Sequence, residues 1–374
     1  MRIALRRRGN FLGAPMTLLL HEQHRSLGAR WGEWLGVSVP LSYGDTHAEY
    51  LALRQKAGVV DMSATGKLRV TGEDRISYLQ GQLSQDILPL QHSGTGTYSC
   101  LLKPTGQLLS DMVLFAIDDA VLVITPPHTR HTVHERLEQF LIMEEVQVED
   151  LTASHVLLHV AGPRSARALE AFGLQSPLPL WHSHCAVWQG HTAHLVRTDR
   201  CGEAGYDVMA PAESARALWR SLLDAGVKPT GYEAWNIRRV EAGIPLFGID
   251  MDQNTIPLEA GLGERAISFT KGCYTGQEVI HRIVARGHTN RSLVGLRLRE
   301  DVLPPHRATI RTDDRPDAGW VTSAVRSLSL RAPIALGYLR NEYLAPGTTV
   351  TVLCEPSPVH AEVTPLPFVE PSHA

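Results

Sequence analysis

The stretch KGCYTGQE, which begins at Lys271, sets one cysteine between two glycines. After Cys273, Thr275 precedes Glu278 by three residues and an apolar pattern follows, which predicts a capped helix beginning near Gly276. Free N–H groups at a helix N-terminus and the ammonium of Lys271 both favour a thiolate at Cys273. Glu278 opposes a nearby negative charge, and free cysteine is often a small buried residue. These residues alone leave a reactive thiol and a structural thiol equally open.

Basic side chains follow this predicted helix at Arg282, Arg286, His288 and Arg291. A solvated helix face is the ordinary interpretation of such a run. A binding surface for a carboxylate-rich ligand is the alternative.

Two single carboxylates stand in surroundings that could support chemistry. Asp111 is the lone acid in the alternating run from Leu108 to Phe115, so it either faces outward or lies in a cleft. Glu203 lies in CGEAGYDV, on a tight turn just before a predicted strand. An exposed position is the commoner outcome for both residues.

A second helix carries an aromatic and basic pair. TGYEAWNIRRVEAG has its own capping box, Thr230 with Glu233, and Gly243 is placed as a helix C-cap. Trp235 and Arg239 lie four residues apart, so indole and guanidinium can share one face. That face is either an exposed stack or the wall of a ligand site.

Composition limits the class of protein that these elements build. The 374 residues, 43% hydrophobic and 20% charged, indicate a globular protein of more than one domain. A net charge of −3 with scattered basic residues argues against nucleic-acid binding. The cysteines never form CxxC, and the histidine groups lack zinc-site spacing, so we predict a reducing compartment and no metal site.

The N-terminal segment MRIALRRRGNFLGAPMTLLL is basic and free of acids. Two interpretations stay open, a translation start at Met16 or an arginine-rich transit peptide. No apolar run reaches the length of a membrane span. We therefore expect a soluble cytoplasmic protein without membrane contact, or a mitochondrial matrix protein if the segment is a transit peptide.

The chain contains two pairs of similar segments in the same order. LRVTGEDRISYL at 68–79 is echoed by LHVAGPRSARAL at 158–169, and each reads as strand, glycine turn and helix. VLVITPPHTRHTVHERL at 121–137 and YDVMAPAESARALWRSLL at 206–223 each read as a strand, proline and helix. The sequence predicts a duplicated α+β unit.

The last region is different in character. From Ser292, short runs such as SLVGLRLR and TTVTVLC alternate with turn residues, which predicts a small antiparallel barrel or sandwich. We expect an N-terminal extension at 1–42, α+β domains at 43–150 and 151–291, and a barrel domain with its tail at 292–374.

Longer stretches resemble a known family. YGDTHAEYLALRQKAGVVDMS at 43–63, RVEAGIPLFGIDMDQNTIPLEAGLG at 239–263 and ALGYLRNEYLAPGTTV at 335–350 resemble the glycine-cleavage T-protein (aminomethyltransferase) superfamily. KGCYTGQE resembles the signature of one branch, the YgfZ-type tetrahydrofolate-binding proteins of iron–sulfur cluster assembly and repair. The resemblance implies two related α+β domains and a C-terminal antiparallel barrel around a central folate-binding hole.

The resemblance also implies roles for particular residues. Asp111 matches an acid near the N5/N10 region of folate, Tyr98 an aromatic of the same pocket, and Glu203 the carboxylate that grips the pterin. Arg239 matches the arginine of the recognition helix, which favours the ligand-wall interpretation. Thr125, Pro126 and Pro127 replace a usual Val-Asn pair, so contacts on that side are in doubt.

The resemblance leads to one preferred function and two rivals. We expect a tetrahydrofolate-binding protein that supports iron–sulfur proteins or their assembly factors. Its functional thiol is Cys273 within the motif Lys271, Gly272, Cys273, Tyr274, Gly276, Gln277 and Glu278. The first rival is a folate-dependent aminomethyltransferase in which Asp111 carries the chemistry. The second is a scaffold whose folate pocket no longer works.

Overall fold

The computed structural model describes residues 17–173 and 177–372. The predicted leader up to Met16 lies outside the described residues. The helices, in chain order, are α1 (His21–Ser26), α2 (Thr46–Gln55), α3 (Arg75–Gln82), α4 (Arg130–Gln139), α5 (Ser165–Ala168), α6 (Ala215–Asp224), α7 (Tyr232–Glu241), α8 (Gly263–Ala266) and α9 (Gln277–Arg286).

The strands follow the same numbering along the chain. They are β1 (Arg30–Trp34), β2 (Val37–Ser42), β3 (Gly58–Asp61), β4 (Gly66–Thr71), β5 (Gly96–Leu102), β6 (Leu108–Ile117), β7 (Ala120–Thr125), β8 (Gln147–Asp150), β9 (His155–Ala161), β10 (Ser183–Trp188), β11 (His191–Thr198), β12 (Gly205–Pro211), β13 (Lys228–Pro229), β14 (Arg291–Leu298), β15 (Thr309–Arg311), β16 (Gly319–Ser327), β17 (Ala332–Arg340), β18 (Thr349–Val352) and β19 (Val359–Thr364).

Two sheets form the larger part of the molecule. One has the order β5-β6-β7-β4-β8, and the other has the order β10-β11-β12-β9-β3-β13. Neighbouring strands are antiparallel except for β13, which pairs with β3 in parallel. The strand β3 precedes every strand of the first sheet in the chain but belongs to the second sheet, so the two α+β units exchange a segment.

The duplication predicted from the sequence is visible in the pairing. The turn after β4 leads to α3 and the turn after β9 leads to α5, while β4 pairs with β7 and β9 pairs with β12. Gly72 and Gly162 begin the two turns with φ of 106° and 119°, a region that favours glycine. A Cβ at Gly72 would lie 1.8 Å from the carbonyl oxygen of Glu145. The matching glycines are therefore required by the turn and by close backbone packing.

The C-terminal region is a closed barrel with the order β14-β17-β16-β15-β18-β19. Its interior is filled by aliphatic residues such as Leu296, Ile310 and Val350. Helix α7 packs on the outside of the barrel against β16 and β17, where Val240 joins Val325, Ile334 and Leu336.

A central hydrophobic core takes residues from both sheets and from α7. Val113 and Phe115 on β6 share this core with Leu157 on β9 and with Trp235 on α7. The predicted fold, two related α+β units with a C-terminal antiparallel barrel, is confirmed.

No helix within residues 17–173 or 177–372 combines the length and the apolar character needed to cross a membrane.

Candidate functional site

A cavity of about 120 Å³ opens beside the central core, where the two sheets meet α7. Aromatic rings supply much of its wall, namely Trp34, Tyr98, Trp181, Tyr232 and Trp235. The rings of Tyr98 and Trp181 are stacked, with centroids 5.9 Å apart and an interplanar angle of 18°. Such walls suit a flat ring system, because aromatic faces pack well against other π systems.

The acid of the cavity is Asp111 on β6. Side chains alternate along this strand, so Met112 and Leu114 pack among the core residues beneath the helices while Asp111 and Val113 face the central core. Asp111 is 9% exposed and lines the cavity. The cleft interpretation of this lone carboxylate is the one that the structure supports.

One oxygen of Asp111 is held by the protein and the other is not. The hydroxyl of Tyr98 donates to Oδ2 of Asp111 over 2.6 Å. Oδ1 is buried and has no hydrogen-bond partner among the described residues. Burial raises the pKa of Asp111 although the Tyr98 bond lowers it in part. A buried carboxyl with one free oxygen can accept a hydrogen bond, take up a proton or stabilise a positive charge on a ligand.

Three arginines also line the cavity, and the protein holds them differently. Arg239 is 1% exposed, and its Nη2 donates to Ser323 of the barrel over 2.8 Å while Nη1 is paired with Asp250. The guanidinium of Arg265 lies 5.0 Å from the ring centre of Tyr98. Arg200 is fixed by a carboxylate behind the wall.

Helix α7 places both members of the predicted pair in the wall. Trp235 and Arg239 both line the cavity, so the ligand-wall interpretation fits and the exposed stack does not. The predicted capping box is absent, because no side chain caps α7 and the N–H of Gly231 donates to Glu49 instead. Gly243 follows the helix with φ of 70°, as its predicted position requires.

The segment with the unusual prolines also reaches the cavity. Thr125, Pro126 and Pro127 are all part of the wall. The two prolines present apolar rings and no backbone N–H donor on this side of the cavity.

Glu203 lies on the predicted turn before β12 but outside the cavity wall. Its side chain is buried, but Arg54 and Arg238 donate to Oε1 over 2.7 and 2.8 Å, and the backbone N–H of Ser372 donates to Oε2 over 2.9 Å. Glu203 is not among the residues that line the cavity. The carboxylate of this turn neutralises two arginines, and its role in gripping a pterin stays a prediction.

The residues around Cys273 are arranged differently from the prediction. Helix α9 begins close to the expected point, after Gly276, but no side chain caps it. The ammonium of Lys271 donates to the carbonyl oxygens of Leu83 and Gln85 over 2.7 and 2.8 Å, and burial lowers its pKa to about 8.

Cys273 itself is exposed and is not part of the cavity wall, so the structure separates this thiol from Asp111. The rest of the motif anchors a loop. Tyr274 is buried, while Gly276 packs beside the carbonyl of Lys103 and could not carry a Cβ there. Gly276 and Tyr274 of KGCYTGQE are therefore explained by the packing of this loop.

The prediction from sequence brought together Tyr98, Asp111 and Arg239 and missed several other residues of the wall. Trp34, Trp181, Arg200 and Arg265 come from four separate segments. Trp34 lies at the end of β1 beside a tight turn, Arg265 lies in the short helix α8, and Trp181 and Arg200 lie in loops. No local pattern marks such residues, because only the tertiary fold brings them to one place.

The cavity, with its aromatic walls, buried acid and several guanidiniums, has the shape and chemistry that suit a flat, polar heterocycle. The profile of the GCVT N-terminal domain matches residues 20–271, and that of the glycine cleavage T-protein C-terminal barrel domain matches residues 291–370. The chain therefore belongs to the glycine cleavage T-protein (aminomethyltransferase) family.

Individual relatives agree with this assignment. The chain is 31% identical to an aminomethyltransferase of Nostoc sp. over 95% of this chain and 96% of the relative. It is 31% identical to an aminomethyltransferase of Rubrobacter xylanophilus, with 93% of each chain covered. The crystal structure of glycine cleavage system aminomethyltransferase T from Bartonella henselae matches with a TM-score of 0.88, 28% identity, and coverage of 96% and 99%.

These relatives overturn the expected branch. The prediction of a YgfZ-type protein for iron–sulfur cluster assembly or repair is wrong, because the relatives that span nearly the whole chain are aminomethyltransferases. The prediction that Cys273 is its functional thiol is wrong with it. The resemblance to the YgfZ branch covers the eight residues of KGCYTGQE, whereas the aminomethyltransferase relatives match about 95% of the chain. The prediction of tetrahydrofolate as cofactor is confirmed, since this family uses tetrahydrofolate.

Proposed function

We propose that this chain is a folate-dependent aminomethyltransferase of the glycine cleavage system. The observation that carries the proposal is the free Oδ1 of Asp111 inside an aromatic cavity. Its Oδ1 has no hydrogen-bond partner among the described residues, and burial of such an oxygen is costly unless a ligand uses it. The family to which the chain belongs supplies the ligand, tetrahydrofolate.

The reaction transfers one carbon from a lipoyl arm to the folate. The aminomethyl carbon, attached to a lipoyl sulfur of a carrier protein, forms bonds to N5 and N10 of tetrahydrofolate. Its bonds to sulfur and to the amino nitrogen break. The products are 5,10-methylenetetrahydrofolate, ammonia and the dihydrolipoyl carrier, and no external oxidant or reductant is needed.

Asp111 has the properties that this transfer requires. The N–H groups of the reduced folate lose protons as the new C–N bonds form, and Oδ1 can accept one of them. Tyr98 holds the other carboxylate oxygen, so the acid cannot rotate away from the cavity. The apolar walls exclude water, which strengthens the attraction between this carboxylate and a cationic intermediate.

The rings of the cavity orient the substrate. Tyr98 and Trp181 offer a stacked pair on one side, and Trp235 on α7 offers another aromatic surface. Arg239 is tied to Asp250 and to the barrel, so α7 presents Trp235 from a fixed position. Positioning of the two reacting molecules contributes a large part of the rate in reactions of this kind.

The test is reconstitution with a carrier protein loaded with the aminomethyl-lipoyl group. The purified chain should form methylenetetrahydrofolate and release ammonia in equal amounts, and only when tetrahydrofolate is present. Binding of tetrahydrofolate without any transfer would instead indicate the scaffold interpretation. Absence of both binding and transfer would refute the proposal.

A further inference from the structure

Arg200 lies in the loop between β11 and β12, with its guanidinium in the cavity wall. Its Nε donates to both oxygens of Asp207 over 3.0 and 2.8 Å, and its Nη2 donates to Oδ2 over 2.6 Å. This fork fixes the plane of the guanidinium and leaves Nη1 on the opposite edge.

Asp207 is itself held firmly. It is 1% exposed, with Nδ1 of His159 at 2.9 Å and the hydroxyl of Thr198 at 3.3 Å from its Oδ1. Burial alone would raise the pKa of Asp207, but Arg200 and His159 lower it overall, so the carboxylate stays ionised. Arg200 therefore rests on a rigid buried network and does not adapt freely to whatever enters the cavity.

The edge of Arg200 that faces away from Asp207 makes no hydrogen bond in the part of the chain that the structure describes. Nη1 donates to no residue within 17–173 or 177–372 at hydrogen-bond distance. Asp111 is among the carboxylates whose charge acts on this guanidinium. A fixed donor at Arg200 and a fixed acceptor, Oδ1 of Asp111, thus belong to the same small cavity.

The other arginines of the wall are committed differently. Arg239 uses Nε, Nη1 and Nη2 for Asn236, Asp250 and Ser323. Arg265 lies over the ring of Tyr98 and is paired with Asp199. Arg200 differs from both. The fork to Asp207 fixes the plane of its guanidinium, and its Nη1 has no hydrogen-bond partner among the described residues and can donate to a ligand.

We infer that Arg200 is a specificity-determining residue that donates to the 4-oxo oxygen of the pteridine ring. The inference rests on the proposed function, since it names how that site reads its folate. The carbonyl oxygen is a strong acceptor on the pteridine, and a guanidinium donates to such an atom in a fixed plane. A 4-amino analogue would set donor against donor at the same point and leave the arginine unpaired.

The experiment compares tetrahydrofolate with 4-amino-4-deoxytetrahydrofolate, using calorimetry on the full chain. The wild type should bind the 4-oxo ligand about 10-fold to 100-fold more tightly, as expected when a buried donor loses its acceptor. Arg200→Met should reduce this ratio to within about threefold by removing the donor. Arg200→Lys keeps a positive charge beside Asp207, so the buried carboxylate still has a partner and the variant should fold. The affinity ratio should fall in this variant as well, because lysine lacks the planar guanidinium fork.

Arg265→Met is the matched control, because it removes another arginine of the same wall. It should weaken both ligands by a similar factor and leave the ratio at the wild-type value. An unchanged ratio in both Arg200 variants, with tetrahydrofolate still bound, would overturn this inference and leave the proposed function standing. A collapsed ratio in Arg265→Met would also overturn it. A wild type that binds neither ligand would overturn both.

Discussion

Replacement of Asp111 by asparagine separates the chemistry of this site from its shape. Asparagine keeps the size of the side chain, and its carbonyl oxygen can still accept the hydroxyl of Tyr98. A hydrogen bond to a charged group contributes about 1.5 to 3 kcal/mol and a neutral one about 0.5 to 1.5 kcal/mol, so the loss there is about 1 kcal/mol. Removal of a buried charge acts in the opposite direction, and we expect stability within about 1 kcal/mol of the wild type.

The rate should respond far more strongly than the stability. Loss of a positioned acid or base lowers kcat by about 10²-fold to 10⁴-fold, and asparagine cannot take up a proton. The assay is methylenetetrahydrofolate formation from the loaded carrier protein, measured across pH. Because burial raises the pKa of Asp111, the wild-type rate should fall on the acid side at a pH above the ordinary aspartate range. That limb should be missing from the residual activity of Asp111→Asn.

The stability should show the matching pH dependence. The folded state binds this proton more tightly than the unfolded chain, so the wild type loses stability as pH rises above the ordinary aspartate pKa of about 3.9. The asparagine variant should lack that loss. Tyr98→Phe is the control, since it removes the hydrogen bond that Asp111→Asn only weakens but keeps the carboxylate, and it should retain most of the rate. A rate for Asp111→Asn within about threefold of the wild type would refute the role of this acid.

Further predictions concern residues outside the reacting centre. Lys67 is fully buried and burial lowers its pKa from 10.5 to about 7, so the folded state loses this proton first and urea-unfolding stability should rise between those pH values. Lys67→Met should abolish that rise, and an unchanged slope would disprove the assignment. Glu203→Gln should cost about 1 to 3 kcal/mol of folding free energy, because Arg54 and Arg238 lose a charged partner although Glu241 still pairs with Arg238, while ligand affinity of the folded protein stays the same. A selective loss of affinity would return Glu203 to the binding site. Iodoacetamide should modify Cys273 and Cys185 in the native protein but spare the buried Cys100 and Cys201 until unfolding, as peptide mass spectrometry would detect. Cys273→Ser should keep full transferase activity, and a loss above about tenfold would restore this thiol to the mechanism.

The two related α+β units could be predicted from the sequence because the same order of elements occurs twice. A strand, a glycine turn and a helix recur at 68–79 and 158–169, and both glycines adopt positive φ in the structure. The barrel was visible because short alternating strands with frequent turns are typical of antiparallel sheets. The exchange of β3 between units was invisible, since strand pairing over such a separation leaves no local pattern.

The site was predicted in part, for a related reason. Asp111 was recognisable as a single charge in an apolar strand, and Trp235 with Arg239 as neighbours on one helical face. Arg200 was not recognised, because its partner Asp207 lies on the next strand and the pair has meaning only after folding. Glu203 and Cys273 lie outside the cavity wall, and the sequence could not show this, because glycines beside a polar residue mark a turn and a turn can serve packing as well as chemistry.

The position of β3 has a consequence for synthesis of the chain on the ribosome. Residues Gly58–Asp61 are all buried, and they pair with β9 and β13, which end at Ala161 and Pro229. Until those strands have left the exit tunnel, this short apolar stretch has no partner and cannot take its final place. The first sheet can assemble earlier, since its last strand ends at Asp150. The nascent chain therefore passes through a stage in which the first sheet is formed while β3 is still unpaired. At this stage the backbone of β3 is exposed, and chaperones would bind there.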